Sequence, residues 1–172
     1  MFENPSKLKN SIQLKHLLSM SSGLDCQAFS SGPSMEQTQG RVQFMLDLPV
    51  IDSPGKSFGY CNGNAHLFPS ILEKTSGMSA RDYANQELFK PLRIPAVSEA
   101  DWGSDPQKIT FAGYGLHLRP IEITKPALLF LNNGKWEDSQ IIPAQWVADS
   151  TTRHVKKEHG SGWVRGGACA LP

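Results

Sequence analysis

Pro54-Gly55-Lys56-Ser57-Phe58-Gly59-Tyr60-Cys61-Asn62-Gly63-Asn64-Ala65-His66-Leu67-Phe68-Pro69-Ser70-Ile71-Leu72 is the stretch on which the reading of this chain turns. Pro54-Gly55 signals a turn, because proline presets φ and glycine accepts left-handed backbone. From Asn64 the pattern changes. Asn64 can cap a helix, Leu67, Phe68, Ile71 and Leu72 recur along one face of it, and Gly77 is placed to stop it. Tyr60 and Asn62 are therefore expected at the end of a short extended or turn segment leading into a helix over 64–76, with the Tyr60 ring facing a cleft or an open face. Pro69 sits badly in that helix, since an interior proline removes a backbone donor and usually kinks it.

On the N-terminal side, Leu14, Leu17, Leu18 and Met20 recur at helical spacing, and Gly23 is placed to end the helix in a left-handed cap. Asp25 to Gly40, rich in Ser, Gly, Gln and Pro, reads as a surface loop. Val42, Met45 and Leu46 then restore apolar spacing between Arg41 and Leu48, and Pro49 to Lys56 breaks it. On the C-terminal side, Ser79-Ala80-Arg81-Asp82 resembles a capping box that opens a second helix through Tyr83, Leu88 and Phe89, so the two helices form a hairpin. Trp102 to Phe111 is a polar loop around Asp105-Pro106, and Gly113 and Gly115 allow close backbone packing. Helix signals resume after Pro120 with Ile121, Leu128, Leu129 and Leu131, interrupted by Pro126 and stopped at Asn133-Gly134. Pro143 opens a last helix with Trp146 and Val147, and Gly160-Ser161-Gly162-Trp163-Val164 begins a strand. Helices are thus expected near 14–22, 64–76, 79–89, 121–133 and 143–150, with more residues helical than extended and no complete five-stranded sheet. No repeat and no internal domain boundary is evident.

The 172 residues, 39% hydrophobic and 19% charged, suffice for one globular domain. A net charge of +1 supplies no basic field for nucleic acid or an anionic membrane. No stretch approaches the roughly 18 apolar residues of a membrane span. Met1-Phe2-Glu3-Asn4-Pro5-Ser6 has neither the charged nor the apolar region of a signal peptide. A signal upstream of a truncated start would be lost, so localisation stays open. Cys26, Cys61 and Cys169 are widely spaced and read as ordinary reduced cysteines. His66, His117 and His154 are isolated and His16 reads as a surface or satisfied interior histidine, so neither a metal nor any other cofactor is expected.

Taken in order, several segments resemble one family. Gln13-Leu14-Lys15-His16-Leu17-Leu18-Ser19-Met20-Ser21-Ser22-Gly23-Leu24 is followed by the Pro-Gly approach to Tyr60-Cys61-Asn62. The helix pair comes next, with Gly77, Leu88-Phe89 and Pro91-Leu92. Trp102 with Asp105-Pro106, Gly113-Tyr114-Gly115-Leu116, Leu129-Phe130-Leu131-Asn132-Asn133-Gly134 and Ile142-Pro143-Ala144-Gln145-Trp146-Val147 complete the series. Over roughly Ile12 to Trp163 the chain resembles the β-lactamase-related serine hydrolases, which include penicillin-binding proteins, class C β-lactamases, esterases and 6-aminohexanoate-dimer hydrolases. A lone Tyr-x-Asn is weak, as Tyr83-Ala84-Asn85 inside a predicted helix illustrates; order and context carry the resemblance. It implies an α+β, β-lactamase/transpeptidase-like fold with mainly the helical lobe present and the antiparallel sheet incomplete, residues 1–172 forming one partial domain.

The resemblance also implies chemistry. Such enzymes acylate a serine of a Ser-x-x-Lys pair, in which a desolvated lysine lies one turn from the hydroxyl. Ser6-Lys7-Leu8-Lys9 and Ser53-Pro54-Gly55-Lys56 have the string but not the setting. The second should be a turn, and the first has no apolar helix behind it, so that Lys9 is expected exposed. Tyr60 carries over as the catalytic tyrosine, a proton acceptor and donor that needs a phenol pKa well below about 10. Asn62 carries over as the substrate-binding partner of an acyl amide. The structural alternatives are a buried packing tyrosine and a turn asparagine before Gly63. The family's third element, a Lys-Thr-Gly or His-x-Gly strand, does not resemble Val164 to Pro172, and His159 with Gly166-Gly167 reads as solvated loop. Asp101 and Asp105 read as loop caps. The resemblance therefore implies a serine hydrolase acting on a small-molecule ester, amide or β-lactam through an acyl-serine, inactive as this isolated chain. The alternatives are a non-catalytic binding or regulatory remnant, and a half that another chain completes.

Overall fold

A computed structural model describes residues 7–26, 38, 40–156 and 163–165. Ser6, most of the loop expected before Gly40, and the segments around His159, Gly166-Gly167 and Cys169 lie outside them. The chain divides into two compact units, Met1–Phe68 with Ser150–Pro172, and Pro69–Asp149.

The first unit contains helices α1 (Lys7–Asn10), α2 (Leu14–Leu18) and α3 (Arg41–Asp47) and the opening turns of α4 (Asn62–Ser76). Helix α2 opens with the Gln13 N–H donating to His16 Nδ1 at 3.1 Å, and burial together with the neighbouring Lys15 charge lowers the His16 pKa. It ends earlier than expected. Met20 takes the left-handed conformation at φ +52°, while Ser21 N–H donates to His16 O at 2.7 Å and Met20 N–H to Leu17 O at 3.1 Å. That is the double hydrogen bond of a Schellman cap, so Gly23 is not the helix stop. Gly23, also left-handed at φ +74°, serves a crossing: a Cβ there would lie 2.1 Å from Asp52 O. Ile51 N–H donates to Gly23 O at 2.8 Å, Asp25 N–H to Pro49 O at 2.9 Å, and Leu24 pairs antiparallel with Val50.

Lys9 is 5% exposed, against the expectation of an exposed side chain. Its ammonium donates to Leu46 O at 2.7 Å, in the last turn of α3, where carbonyls lack intrahelical partners and the helix dipole is negative. Met45 on the same helix is fully buried. The unit is completed by strands β3 (Arg153–Lys156) and β4 (Trp163–Arg165), paired antiparallel with Val155 opposite Val164; the strand expected at Trp163 is present.

The second unit continues α4 through Pro69 to Ser76, and Gly77 follows at φ +74°. Ser79 Oγ accepts from Asp82 N–H at 3.1 Å and so caps α5 (Ala80–Ala84). The helix loosens into a π-helical turn over Asn85–Phe89. Phe89, Leu92, Ile94, Val97 and Leu129 form the core, with Trp102 and Trp136 packed against it. Leu129 comes from α6 (Pro120–Leu131), which begins on proline and runs through Pro126; Asn133 at φ +51° and Gly134 at φ +80° end it as expected. Strands β1 (Lys135–Trp136) and β2 (Ser139–Gln140) form a two-residue hairpin with Trp136 opposite Ser139, and α7 (Ala144–Thr151) follows. Asp101 accepts from Ser98 N–H and Oγ at 2.8 and 2.7 Å. Asp105 Oδ1 accepts from Gln107 and Ile109 N–H, both at 2.9 Å. Both aspartates cap loops. Among the described residues helix exceeds strand, and the sheets are two two-stranded ladders. No helix there is long and apolar enough to cross a membrane.

Candidate active site

Tyr60 lies two residues before α4, which starts at Asn62 rather than at the expected Asn64. The side chain is 55% exposed, so the tyrosine faces an open surface and is not a buried packing residue. Its hydroxyl donates to Asn62 Oδ1 at 2.6 Å. The phenol oxygen retains acceptor capacity and the carboxamide still carries N–H donors. The pair can therefore both accept and donate hydrogen bonds at the mouth of a helix.

Local ties within the first unit hold this pair in place. On the N-terminal flank, Gly55 N–H donates to Ser21 O at 2.7 Å and Gly59 N–H to Met20 O at 2.8 Å. The intervening turn is organised by Asp52, which accepts from Ser57 Oγ at 2.5 Å, from Ser53 N–H at 2.8 Å and from Lys56 Nζ at 2.9 Å. These bonds, Ser57 foremost, hold its pKa at about 2. On the C-terminal flank Gly63 receives Met45: a Cβ at Gly63 would lie 2.0 Å from the Met45 sulfur. Asn64, expected as a helix cap, is instead fully buried and accepts from Ser22 Oγ at 3.0 Å.

Between the flanks, Cys61 is joined to Cys26 by a disulfide, with Cα atoms 5.7 Å apart and a sequence separation of 35. This corrects the expectation of reduced cysteines at those two positions. Spacing could not reveal the pair, because it depends on Gly23 turning Leu24 alongside Val50; Cys169 is not described. Ser22 and the pairing of Cys26 are what sequence reasoning missed around the site, and Asn64 was given a capping role in place of its buried one. A cysteine inside the Tyr-x-Asn string was the one available signal.

The remaining candidates are dispersed. Lys56 is 68% exposed and paired to Asp52 within the turn 54–56, so the Ser53 string is a turn. The second Tyr-x-Asn is helical as expected, and Asn85 spends its side chain on Val97, accepting from its N–H at 2.8 Å and donating to its carbonyl at 2.9 Å. Among the described residues no group of three or more His, Cys, Asp or Glu side chains could hold a metal.

Residues 3–119, more than half of the chain, match the Beta-lactamase family. Among solved structures the chain is similar to a candidate beta-lactamase from Bacteroides dorei DSM 17855, with TM-score 0.74 and 19% identity over 91% of this chain and 48% of that one. It is similar to an octameric penicillin-binding protein homologue from Pyrococcus abyssi, with TM-score 0.58 and 16% identity over 97% of this chain and 47% of that one. A penicillin-binding protein from Bacillus halodurans aligns with TM-score 0.57 and 17% identity over 96% of this chain and 60% of that one. The chain thus spans about half the length of the first two. These likenesses establish the β-lactamase/transpeptidase-like fold. No curated protein matches the sequence.

Proposed function

Because this chain belongs to the beta-lactamase family, we propose that it forms the Tyr-x-Asn wall of a serine hydrolase site acting on an ester, an amide or a β-lactam through an acyl-serine intermediate. The observation that carries this reading is Tyr60 on an open face with its hydroxyl 2.6 Å from Asn62 Oδ1. When a serine hydroxyl attacks a carbonyl, its proton must leave and a proton must reach the departing group. Tyr60 Oη is the shuttle in this reading, and Asn62 holds both the phenol and the acyl amide of the substrate.

The isolated chain forms no acyl-enzyme. Acylation needs a serine one turn from a desolvated lysine. Lys56 is exposed and engaged by Asp52, and the Lys9 ammonium is directed to Leu46 O. Losing the nucleophile from such a unit typically costs on the order of 10⁶-fold in turnover. Incubation with a fluorophosphonate, an activated ester or benzylpenicillin followed by intact-mass spectrometry tests this, and the expected result is an unmodified chain. Stoichiometric labelling of Ser6 or any other serine would overturn it, and labelling lost on Tyr60→Phe would assign this chain a competent site. The binding half of the proposal is read separately by NMR. Millimolar benzylpenicillin should shift resonances at Tyr60 to Gly63, and Asn62→Ala should weaken that response; the absence of any shift there would remove the substrate-binding role.

A further inference from the structure

We infer that the second unit holds a binding site of its own for a short peptide with free termini, built on the helical run from Ala80 to its cap Lys90. None of its residues belongs to the unit that contains Tyr60 and Asn62. An open cavity of about 530 Å³ is lined by Asp82, Gln86 and Lys90 from that run, and by Met78, Ile94 and Ala96 from the segments before and after it. Asp82, Gln86 and Lys90 stand four residues apart. In a regular α-helix such a row drifts round the axis, because about 3.6 rather than four residues complete a turn. The π-helical turn over Asn85–Phe89 is wider and offsets the drift, so an acid, an amide and a base face one cavity. Asn85 lines the same cavity but is committed. Its carboxamide accepts from Val97 N–H at 2.8 Å and donates to Val97 O at 2.9 Å, which ties the segment after the helix back to it. Phe89 and Ile94 share the core of the unit, so both sides of the cavity rest on one packed base.

The two charges do not satisfy each other. Eight residues separate Asp82 from Lys90 by up to about 12 Å along the axis. Asp82 Oδ2 accepts from Ser79 Oγ at 2.6 Å, which fixes the carboxylate and leaves Oδ1 as an acceptor. Gln86 donates through Nε2 to Glu87 Oε1 at 2.7 Å and keeps its own Oε1 as an acceptor. Among the described residues no hydrogen bond or ion pair engages the Lys90 ammonium. Between these ends lies an apolar floor. Ile94 is 4% exposed yet lines the cavity, together with Met78 and Ala96. An acid, an acceptor and a base in that order over an apolar floor complement a peptide. Its ammonium pairs with Asp82, a backbone N–H donates to Gln86 Oε1, its carboxylate pairs with Lys90, and an apolar side chain covers Ile94. Three extended residues reach roughly 10 Å, so a tripeptide matches the span.

Titration of the full 172-residue chain with the tripeptide Ala-Leu-Ala, followed by amide NMR, tests the inference. Resonances between Met78 and Ala96 should shift saturably, with a dissociation constant on the order of 1 mM because both ionic contacts stay hydrated. N-acetylation or C-amidation of the peptide should each weaken binding about two- to fivefold. Those two arms leave the protein untouched, so no loss of folding can imitate them. Asp82→Asn should weaken the free peptide to the same degree and leave binding of the acetylated one unchanged. Lys90→Met should do so for the free and the amidated peptides. Absence of saturable shifts between 78 and 96 would overturn the proposal. So would equal binding of the free, acetylated and amidated peptides, which would reduce the contact to apolar adhesion. Shifts confined to Tyr60 to Gly63 would also overturn it, by placing the peptide at the candidate hydrolase site instead.

Discussion

Met20 and Gly23 share between them what a single capping glycine was expected to do. Met20 accepts a left-handed conformation to close α2, and Gly23 accepts one so that the chain can pass against Asp52. Gly23→Ala combines a strained φ with a Cβ 2.1 Å from a backbone oxygen, so it should destabilise by roughly 2 kcal/mol or more. Denaturant titration would show this as a lower midpoint, and an unchanged midpoint would refute the crowding. Asp52 gives a pH prediction at the same scale. Its folded pKa of about 2 lies below the unfolded value of about 4. Its contribution is therefore complete above the unfolded value and is lost as pH falls through about 2. NMR titration of the carboxyl should show the low midpoint, and Ser57→Ala, which removes the largest cause, should raise it.

At the scale of elements, two helices run, as expected, through interior prolines, Pro69 and Pro126, each of which removes a backbone donor. In α6, Pro126 withholds the donor that would reach Glu122 O, yet the helix is held at both ends. Glu122 Oε2 accepts from Arg119 N–H at 2.8 Å at its start, and Leu129 is fully buried near its end. Packing thus outweighs the cost of the proline. Pro126→Ala should then stabilise the chain by about 1 to 2 kcal/mol, less than the full helix-interior penalty of roughly 3 because alanine also loosens the unfolded chain. Leu129→Ala should cost about 2 to 5 kcal/mol by opening a cavity among Phe89, Leu92, Ile94 and Val97. Thermal unfolding of both variants checks the opposite signs.

For the molecule as a whole, α6 turns apolar side chains to solvent: Ile121 is 64% and Leu131 78% exposed, with Ile123 and Leu128 beside them. A helix apolar around most of its circumference normally has cover on both sides. The chain spans about half of the structures it resembles, in keeping with a surface that a larger assembly of the fold would cover. The isolated chain should self-associate as concentration rises, and Ile121→Lys with Leu131→Lys should suppress it. Light scattering coupled to size exclusion measures both, and a monomer at all concentrations would contradict the prediction.

What the sequence determined by itself was the local order. Apolar spacing announced α4, α6 and α7, Ser79 and Asp82 announced the capped start of α5, and Pro54-Gly55 announced the turn that delivers Tyr60 to the mouth of a helix. Such features depend on residues within a few positions of one another, which is the range over which periodicity and capping speak. Tertiary structure alone decided the rest: Lys9 on the Leu46 carbonyl, Ser22 on Asn64, Met45 on Gly63, and Cys26 on Cys61. Each joins residues far apart in the chain, beyond the reach of any local pattern. Whether a buried lysine has an acceptor, or a cysteine a partner, is settled only when distant backbone is brought within bonding distance.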